Sequence, residues 1–410
     1  PITLRHLLTH TAGFDDRYVN KSFRTAEEWP PLEEFIRQYM PQRLYPPGKV
    51  YSYSNVSNAL AALVVQDITG QEFARYCRDE IFLPLRMART HFRVQDAWAD
   101  DVYGAYIEQG GGLEEVPLDY LGDYPAGQLL STGQEFARFM LCHLNGGAYA
   151  GQRILPESAT EAMHTPQFTQ HPKLNGSVGI AFHLGEAWGQ ALSQHGGGYM
   201  GLSTRMWLFP ELGMGVFAAA NLGNTGIIDA VLNPLMDHYM PRQQADTAYP
   251  LQDIPPHDKQ VDKFTGYYRN TRYSHQDITK AFGISGMFGE VHIRQNDKGM
   301  LLMDDHNGEP RRLVQVQPGL FQSIDDDYYI AFALDGAGKP EFLFTHGTGA
   351  LERIPAFFSG QVQQLVLAGL WGFYVLVLLV ALLRLLAPKK WKTRRTGTLR
   401  KLRLALHTTA

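Results

Sequence analysis

Residues Leu365 to Leu383 form an unbroken run of 19 residues without a charged side chain, and this run limits what the chain can be. At 1.5 Å per residue a helix of that length covers about 28 Å, close to the ~30 Å hydrocarbon core of a bilayer. Lys389, Lys390, Lys392, Arg394 and Arg395 follow closely, the flank expected on the cytoplasmic side. The pattern predicts a transmembrane helix over 362–388 and a basic cytoplasmic tail over 389–410, in which Leu404-Ala405-Leu406 could open a second span. Everything upstream is then expected to be extracytoplasmic, with the lipid bilayer as a partner. A buried core helix is the competing reading, and the length and basic flank disfavour it.

The 410 residues, 44% of them hydrophobic, are enough for more than one core. A formal net charge of -4 provides no electrostatic footprint for nucleic acid. Two cysteines, Cys77 and Cys142, are too few for a disulfide framework. The chain opens on Pro1 with no charged-then-apolar leader before its first helix, and we read this N-terminus as a truncation.

Thr3 is placed to cap a helix that stops at Gly13. Pro46-Pro47-Gly48 marks a turn, followed by Tyr51-Ser52-Tyr53-Ser54-Asn55 and an apolar helix over 59–68 closed by Gly70. Thr69 with Glu72, and Thr132 with Glu135, have the spacing of capping boxes for two further helices. Beyond residue 176 the texture changes to short β-branched or aromatic runs, 178–184, 202–208 and 213–220, followed by a helical pattern over 227–239. Helices, then a meander of strands, then a closing helix predict an α+β fold, an antiparallel sheet with helices packed on it, over residues 1–240. A proline-punctuated linker is expected over 241–258. Residues 259–357, a series of short strand-like segments with Gly and Asp turns, predict a small all-β barrel or sandwich.

Ile2-Thr3-Leu4-Arg5-His6-Leu7-Leu8-Thr9-His10-Thr11-Ala12-Gly13, with Tyr53-Ser54-Asn55 and His195-Gly196-Gly197-Gly198, resembles the serine β-lactamase and penicillin-binding-protein superfamily, in particular its class C enzymes, DD-peptidases and related esterases. Pro47-Gly48, Thr69-Gly70, Pro84-Leu85-Arg86-Met87 and Pro125-Ala126-Gly127 support the likeness over residues 1 to about 240. The resemblance implies three motifs. Ser-x-x-Lys is not found in these 410 residues, so the nucleophile is expected some tens of residues before Pro1. Tyr-x-Asn is matched by Tyr53 and Asn55. The resemblance makes Tyr53 the proton shuttle for the serine, and Asn55 a hydrogen-bond partner of the motif lysine and of the substrate carbonyl. A phenol with an ordinary pKa near 10 works as a base only where cations stabilise its anion. Tyr51 is the rival tyrosine but has no Asn two residues on. The third motif is His195-Gly196-Gly197, where glycines let a substrate backbone approach a strand. The likeness gives Gly198 N–H as an oxyanion donor and His195 as a group that binds the substrate or tunes Tyr53; Gly196 and Gly197 complete the expected substrate edge.

These residues predict an acyl-transfer enzyme that needs no cofactor and acts on a small-molecule or peptide substrate: a peptidoglycan peptide, a β-lactam or a small ester. The alternative is a membrane-tethered binding or sensing protein that keeps the fold without the catalysis. His6 and His10, four apart on one helix face, could bind zinc, but no third ligand is evident. Asp325-Asp326-Asp327 reads as a solvated turn rather than a calcium site.

Overall fold

The computed structural model describes residues 1–92, 102, 104–240, 259–285, 289–297, 299–304 and 308–386. The expected linker over 241–258, the basic tail and the second-span segment lie outside the described residues. Two compact units are present, Pro1–Pro355 and the part beginning at Ala356.

The first unit opens with α1 (Leu4–Leu8). Thr3 Oγ1 accepts from His6 N–H at 3.3 Å while His6 Nδ1 accepts from Thr3 N–H at 3.2 Å, a reciprocal cap with histidine in place of the usual Glu or Gln. His6 is thereby used at the surface and His10 is buried, and no group of three metal-ligating side chains occurs among the described residues. Gly13 follows with φ +80°, and a Cβ there would lie 2.1 Å from the Tyr45 carbonyl oxygen, so only glycine lets the two backbones meet.

Helices α2 (Leu32–Tyr39), α3 (Asn55–Thr69), α4 (Phe73–Cys77), α5 (Gly133–Leu144) and α6 (Glu157–Met163) follow. Helix α3 starts four residues earlier than its apolar pattern suggests, because the Tyr53-Ser54-Asn55 segment runs directly into it. Gly70 closes it in the left-handed conformation at φ 67°. Thr69 does not open the next helix: its hydroxyl donates back to Val65 C=O at 2.7 Å, and Gln66 Oε1 accepts from Phe73 N–H instead. Thr132 does cap α5, accepting from Glu135 N–H at 3.2 Å, whereas the Glu135 carboxylate turns away to Arg89 N–H and Thr90.

Five strands form the main antiparallel sheet in the order β5-β4-β3-β2-β1, with β1 Ser177–Val178, β2 His183–Ala187, β3 Gln190–Tyr199, β4 Leu202–Phe209 and β5 Met214–Ala220. The single strand expected over 178–184 is two short strands joined by a turn, in which Ala181 has φ 61°. Met206 and Leu208 pack on Met140 of α5, and Trp207 and Phe209 pack on Ile228, Leu232 and Met236 of α7 (Thr225–Tyr239). Both sheet faces are therefore covered by helices, which explains why β4 reads as a continuous apolar run rather than an alternating one.

Eight further strands close into an up-and-down barrel: β6 Gly266–Asn270, β7 Glu290–Gln295, β8 Leu301–Asp304, β9 Arg311–Gln317, β10 Leu320–Ser323, β11 Tyr329–Leu334, β12 Pro340–Phe344 and β13 Ala350–Ile354. Closure removes every sheet edge. The interior is filled by residues such as Tyr268, Ile293, Leu301, Phe321, Ile330 and Leu343.

The barrel is joined to the helical part through an apolar seam and a partly buried polar chain. Tyr45 and Val50 pack with Phe342, Phe344 and Ala350. His275 donates from its backbone N–H to Asp15, its Nδ1 lies 3.1 Å from Asp15 Oδ1, and its Nε2 lies 2.9 Å from Glu352 Oε1. The hydroxyls of Tyr45 and Tyr273 donate to the same Glu352 carboxylate. Burial works against charging His275, but hydrogen bonds to Asp15 and Glu352 outweigh it and lift its pKa to about 9.

The second unit contains α8, Gly360–Leu386, 27 residues long. Its apolar side chains are exposed along its length, and among the described residues it is the one helix long and apolar enough to cross a membrane.

Two predictions follow from these joints. A folded-state pKa raised above the ordinary ~6.5 contributes stability that is complete below that value and disappears as pH rises through about 9. The melting temperature should therefore fall between pH 6.5 and 9.5, and His275→Asn should flatten that slope; an unchanged slope in the variant would remove the assignment. Gly13→Ala should cost about 2 kcal/mol or more in chemical denaturation, whereas Gly112→Ala, in a hairpin strand with an ordinary φ and open space around it, should cost less than about 1 kcal/mol.

Candidate active site

One cleft of about 1510 Å³ is lined by Tyr53, Asn55, His195, Gly196, Gly197 and Gly198 together, so the structure brings every site residue expected from the sequence to a single place. Three parts of the fold position them.

Tyr53 sits in the extended segment leading into α3. Its ring stacks on His10 at a centroid distance of 4.0 Å and faces His195 at 6.4 Å. Burial pushes its phenol above the ordinary value, opposed by the positive charge of Arg272 and reinforced by Asp16 and Asp123. Asn55 is the first residue of α3 rather than its cap; Ser54 holds that position without a side-chain cap. The Asn55 side chain instead hydrogen-bonds Asp123, whose pKa is raised by burial and lowered by Lys21 at 3.8 Å. Asp123 Oδ1, Ser54 Oγ and Ser57 Oγ are buried without a hydrogen-bond partner among the described residues.

His195 to Gly198 lie in the outer half of β3. That half pairs with β4 in the register Gly198↔Ser203, Gly197↔Thr204 and His195↔Met206, whereas β2 pairs only with residues 190–194. Gly196–Gly198 therefore form an exposed strand edge at the cleft. A Cβ at Gly198 would meet nothing within 4 Å, while one at Gly197 would lie 2.4 Å from Thr204 Oγ1.

The His195 Nδ1 lies 2.8 Å from the Gly196 carbonyl oxygen. A carbonyl only accepts, so Nδ1 carries the proton and the neutral ring presents Nε2 as an acceptor. Burial lowers the pKa of His195 and lowers those of His183 and His10 to about 4 and about 3. All three rings are neutral at pH 7. His10 Nδ1 accepts from Ser54 N–H at 3.3 Å, and His183 Nε2 shares a hydrogen bond of 2.9 Å with Tyr51. Tyr51 is thus held inside the wall, and Tyr53 is the tyrosine whose ring faces His195.

The sequence matches the Beta-lactamase family over residues 1–238, more than half of the chain. The chain belongs to the Beta-lactamase family. Among relatives of this Beta-lactamase family chain are the unguisins hydrolase ungD' of Aspergillus campestris (strain IBT 28561), 28% identical over 235 residues covering 54% of this chain and 42% of that protein, and protein flp of Staphylococcus aureus (strain MW2), 26% identical over 152 residues covering 35% and 29%. The chain thus spans less than half the length of these relatives. The crystal structure of SurE shares the fold at a TM-score of 0.57 and 22% identity, covering 86% of this chain and 79% of that one. The octameric penicillin-binding protein homologue from Pyrococcus abyssi does so at 0.50 and 17%, covering 86% and 78%.

Three residues at the site of this Beta-lactamase family chain were not singled out from its sequence, His183, Asp123 and Arg272, and a fourth, His10, was considered only as a zinc ligand with His6. His10 had a signal, since it lies within the Thr-His-Thr-Ala-Gly segment. Arg272 had none, because it comes from the loop after β6, more than 200 residues from Tyr53.

The two tyrosines should separate by experiment. Tyr51→Phe removes the hydrogen-bond partner of the partly buried His183 Nε2 and should lower the melting temperature by about 2–4 °C. Tyr53→Phe should change it by less than about 2 °C, and equal losses would make both tyrosines structural.

Proposed function

We propose that the protein is a membrane-anchored serine hydrolase that works through an acyl-enzyme on an amide or ester, such as a peptidoglycan peptide, a β-lactam or a small ester. The observation that carries this reading is the convergence of Tyr53, Asn55 and the glycine edge of β3 on one cleft. The reading assigns the nucleophile to a Ser-x-x-Lys helix, a motif these 410 residues do not contain. The buried Asp123, Ser54 and Ser57 oxygens beside Asn55 are the kind of acceptors that a lysine and a serine hydroxyl would satisfy.

In this mechanism the phenolate of Tyr53 takes the serine proton as Oγ attacks the carbonyl carbon, and backbone N–H groups at the β3 edge receive the developing oxyanion. The proton then passes to the leaving amine or alcohol as its bond to carbon breaks. Water deprotonated by the same phenolate releases the acid. The fungal relative bears the name of a hydrolase, which supports the reaction class. We also propose that α8 anchors the protein in the lipid bilayer, with residues before it outside the cytoplasm and the basic tail within.

The protein carrying its Ser-x-x-Lys segment should form a covalent adduct with a fluorescent penicillin or turn over a nitrophenyl ester. Tyr53→Phe should slow adduct formation by about 10²-fold or more with little change in melting temperature. If no probe labels the intact protein, the acyl-transfer reading fails and a binding protein on the same fold takes its place.

A further inference from the structure

The positive charge lying over the Tyr53 ring does not come from the part of the chain that carries the family motifs. Arg272 belongs to the loop after β6 of the barrel, and its Cζ lies 4.3 Å from the centre of the Tyr53 ring. Its Nε donates to Asp16 Oδ2 at 3.0 Å, and Asp16 is buried. The guanidinium is therefore held on one side by a fixed carboxylate and lies on an aromatic face on the other.

The loop that delivers it is stitched to the segment bearing Tyr53. Thr271 Oγ1 donates to Tyr51 C=O at 3.0 Å, and Ser52 Oγ donates to Thr271 C=O at 3.3 Å. Thr271 N–H returns to Ala350 C=O within the barrel at 2.9 Å, and Asn270 Oδ1 accepts from Arg272 N–H at 2.8 Å. On its other flank the loop is fixed by His275 to Asp15 and by Asp277, which accepts from Tyr18 N–H at 3.2 Å. These bonds define the position of Arg272 through residues on both sides of the joint.

The groups facing Tyr53 leave this guanidinium a specific task. His10 stacked on one face and His195 across the cleft are neutral, because burial lowers the pKa of each. Asp16 and Asp123 are negative and oppose a phenolate. Lys21 is engaged by Asp123 at 3.8 Å, and Arg205 makes a two-pronged pair with Asp229.

We propose that Arg272 is a positioning residue of the acyl-transfer site, through which the barrel fixes the Tyr53 ring and presents a held positive charge to its phenol oxygen. This rests on the proposed function in that Tyr53 is the base, and it extends that reading by making the barrel part of the active centre rather than an appendage. Arginine suits the task because its planar cation stacks on an aromatic face while its edge stays bonded to a carboxylate.

The test places a fluorinated tyrosine at position 53, which lowers the phenol's titration range, and follows its ionisation by fluorine NMR in the 410-residue chain. Arg272→Gln should move the midpoint up by about one pH unit, and Arg272→Lys should restore part of that shift. An unchanged midpoint in Arg272→Gln overturns the proposal. Should that variant fail to fold, Arg272→Lys decides alone, since a mobile, hydrated ammonium should still give a smaller upward shift and no shift overturns it. A second arm uses the protein with its Ser-x-x-Lys segment, where Arg272→Gln should slow acylation by about tenfold at neutral pH and Arg272→Lys should recover part of it. Equal acylation by wild type and Arg272→Gln overturns this proposal alone. Failure of every variant to acylate overturns the proposed function, while the NMR titration still reports on the Arg272–Tyr53 coupling.

Discussion

The partly buried polar chain Asp15–His275–Glu352 is the joint on which the arrangement of the first unit depends. Carboxylates that leave water lose several kcal/mol of hydration each unless they are paired and hydrogen-bonded. Asp15 and Glu352 are satisfied from both modules: His275 bonds both, and Tyr45 and Tyr273 complete Glu352. Separating barrel from helical part would strand these groups, so the two behave as one compact body. The apolar seam around Tyr45, Val50 and Phe342 provides area, and the polar chain provides register, because hydrogen bonds have direction and apolar contact does not.

That register is what assembles the cleft. The segment from Tyr51 to Asn55 is pinned by the barrel loop on one side and by His10 and His183 on the other. Its second tyrosine is consequently presented to the glycine edge of β3 while its first is locked in the wall. Burial of the phenol and the nearby Asp16 and Asp123 raise the energy of the phenolate, and the fixed guanidinium of Arg272 works in the opposite sense. The balance between desolvation and one held cation governs how readily the Tyr53 phenol ionises.

Much of the fold was legible in the sequence. Gly70 and Thr132 mark helix ends because a left-handed turn and an orphan N–H each call for a particular residue type. Periodicity placed the sheet, the closing helix and the all-β region. It failed where competition between equivalent partners decided the outcome. Gln66, one turn back on α3, outcompetes Thr69 for the next helix start, and the run over 178–184 breaks at a left-handed Ala181 that no residue preference announces.

The sequence by itself determined which residue types are available to the site and where they lie in order: Tyr53 with Asn55, the glycines from 196 to 198, and an apolar segment of membrane-spanning length. Those signals are local, written in spacing and composition within a few residues. Tertiary structure alone decided that the ring of Tyr53 faces the β3 edge, that His195 is neutral with its proton on Nδ1, and that an arginine from a distant barrel loop lies on that ring. Burial and electrostatic field are sums over everything packed around a group, and most of what surrounds Tyr53 comes from parts of the chain far from it in sequence.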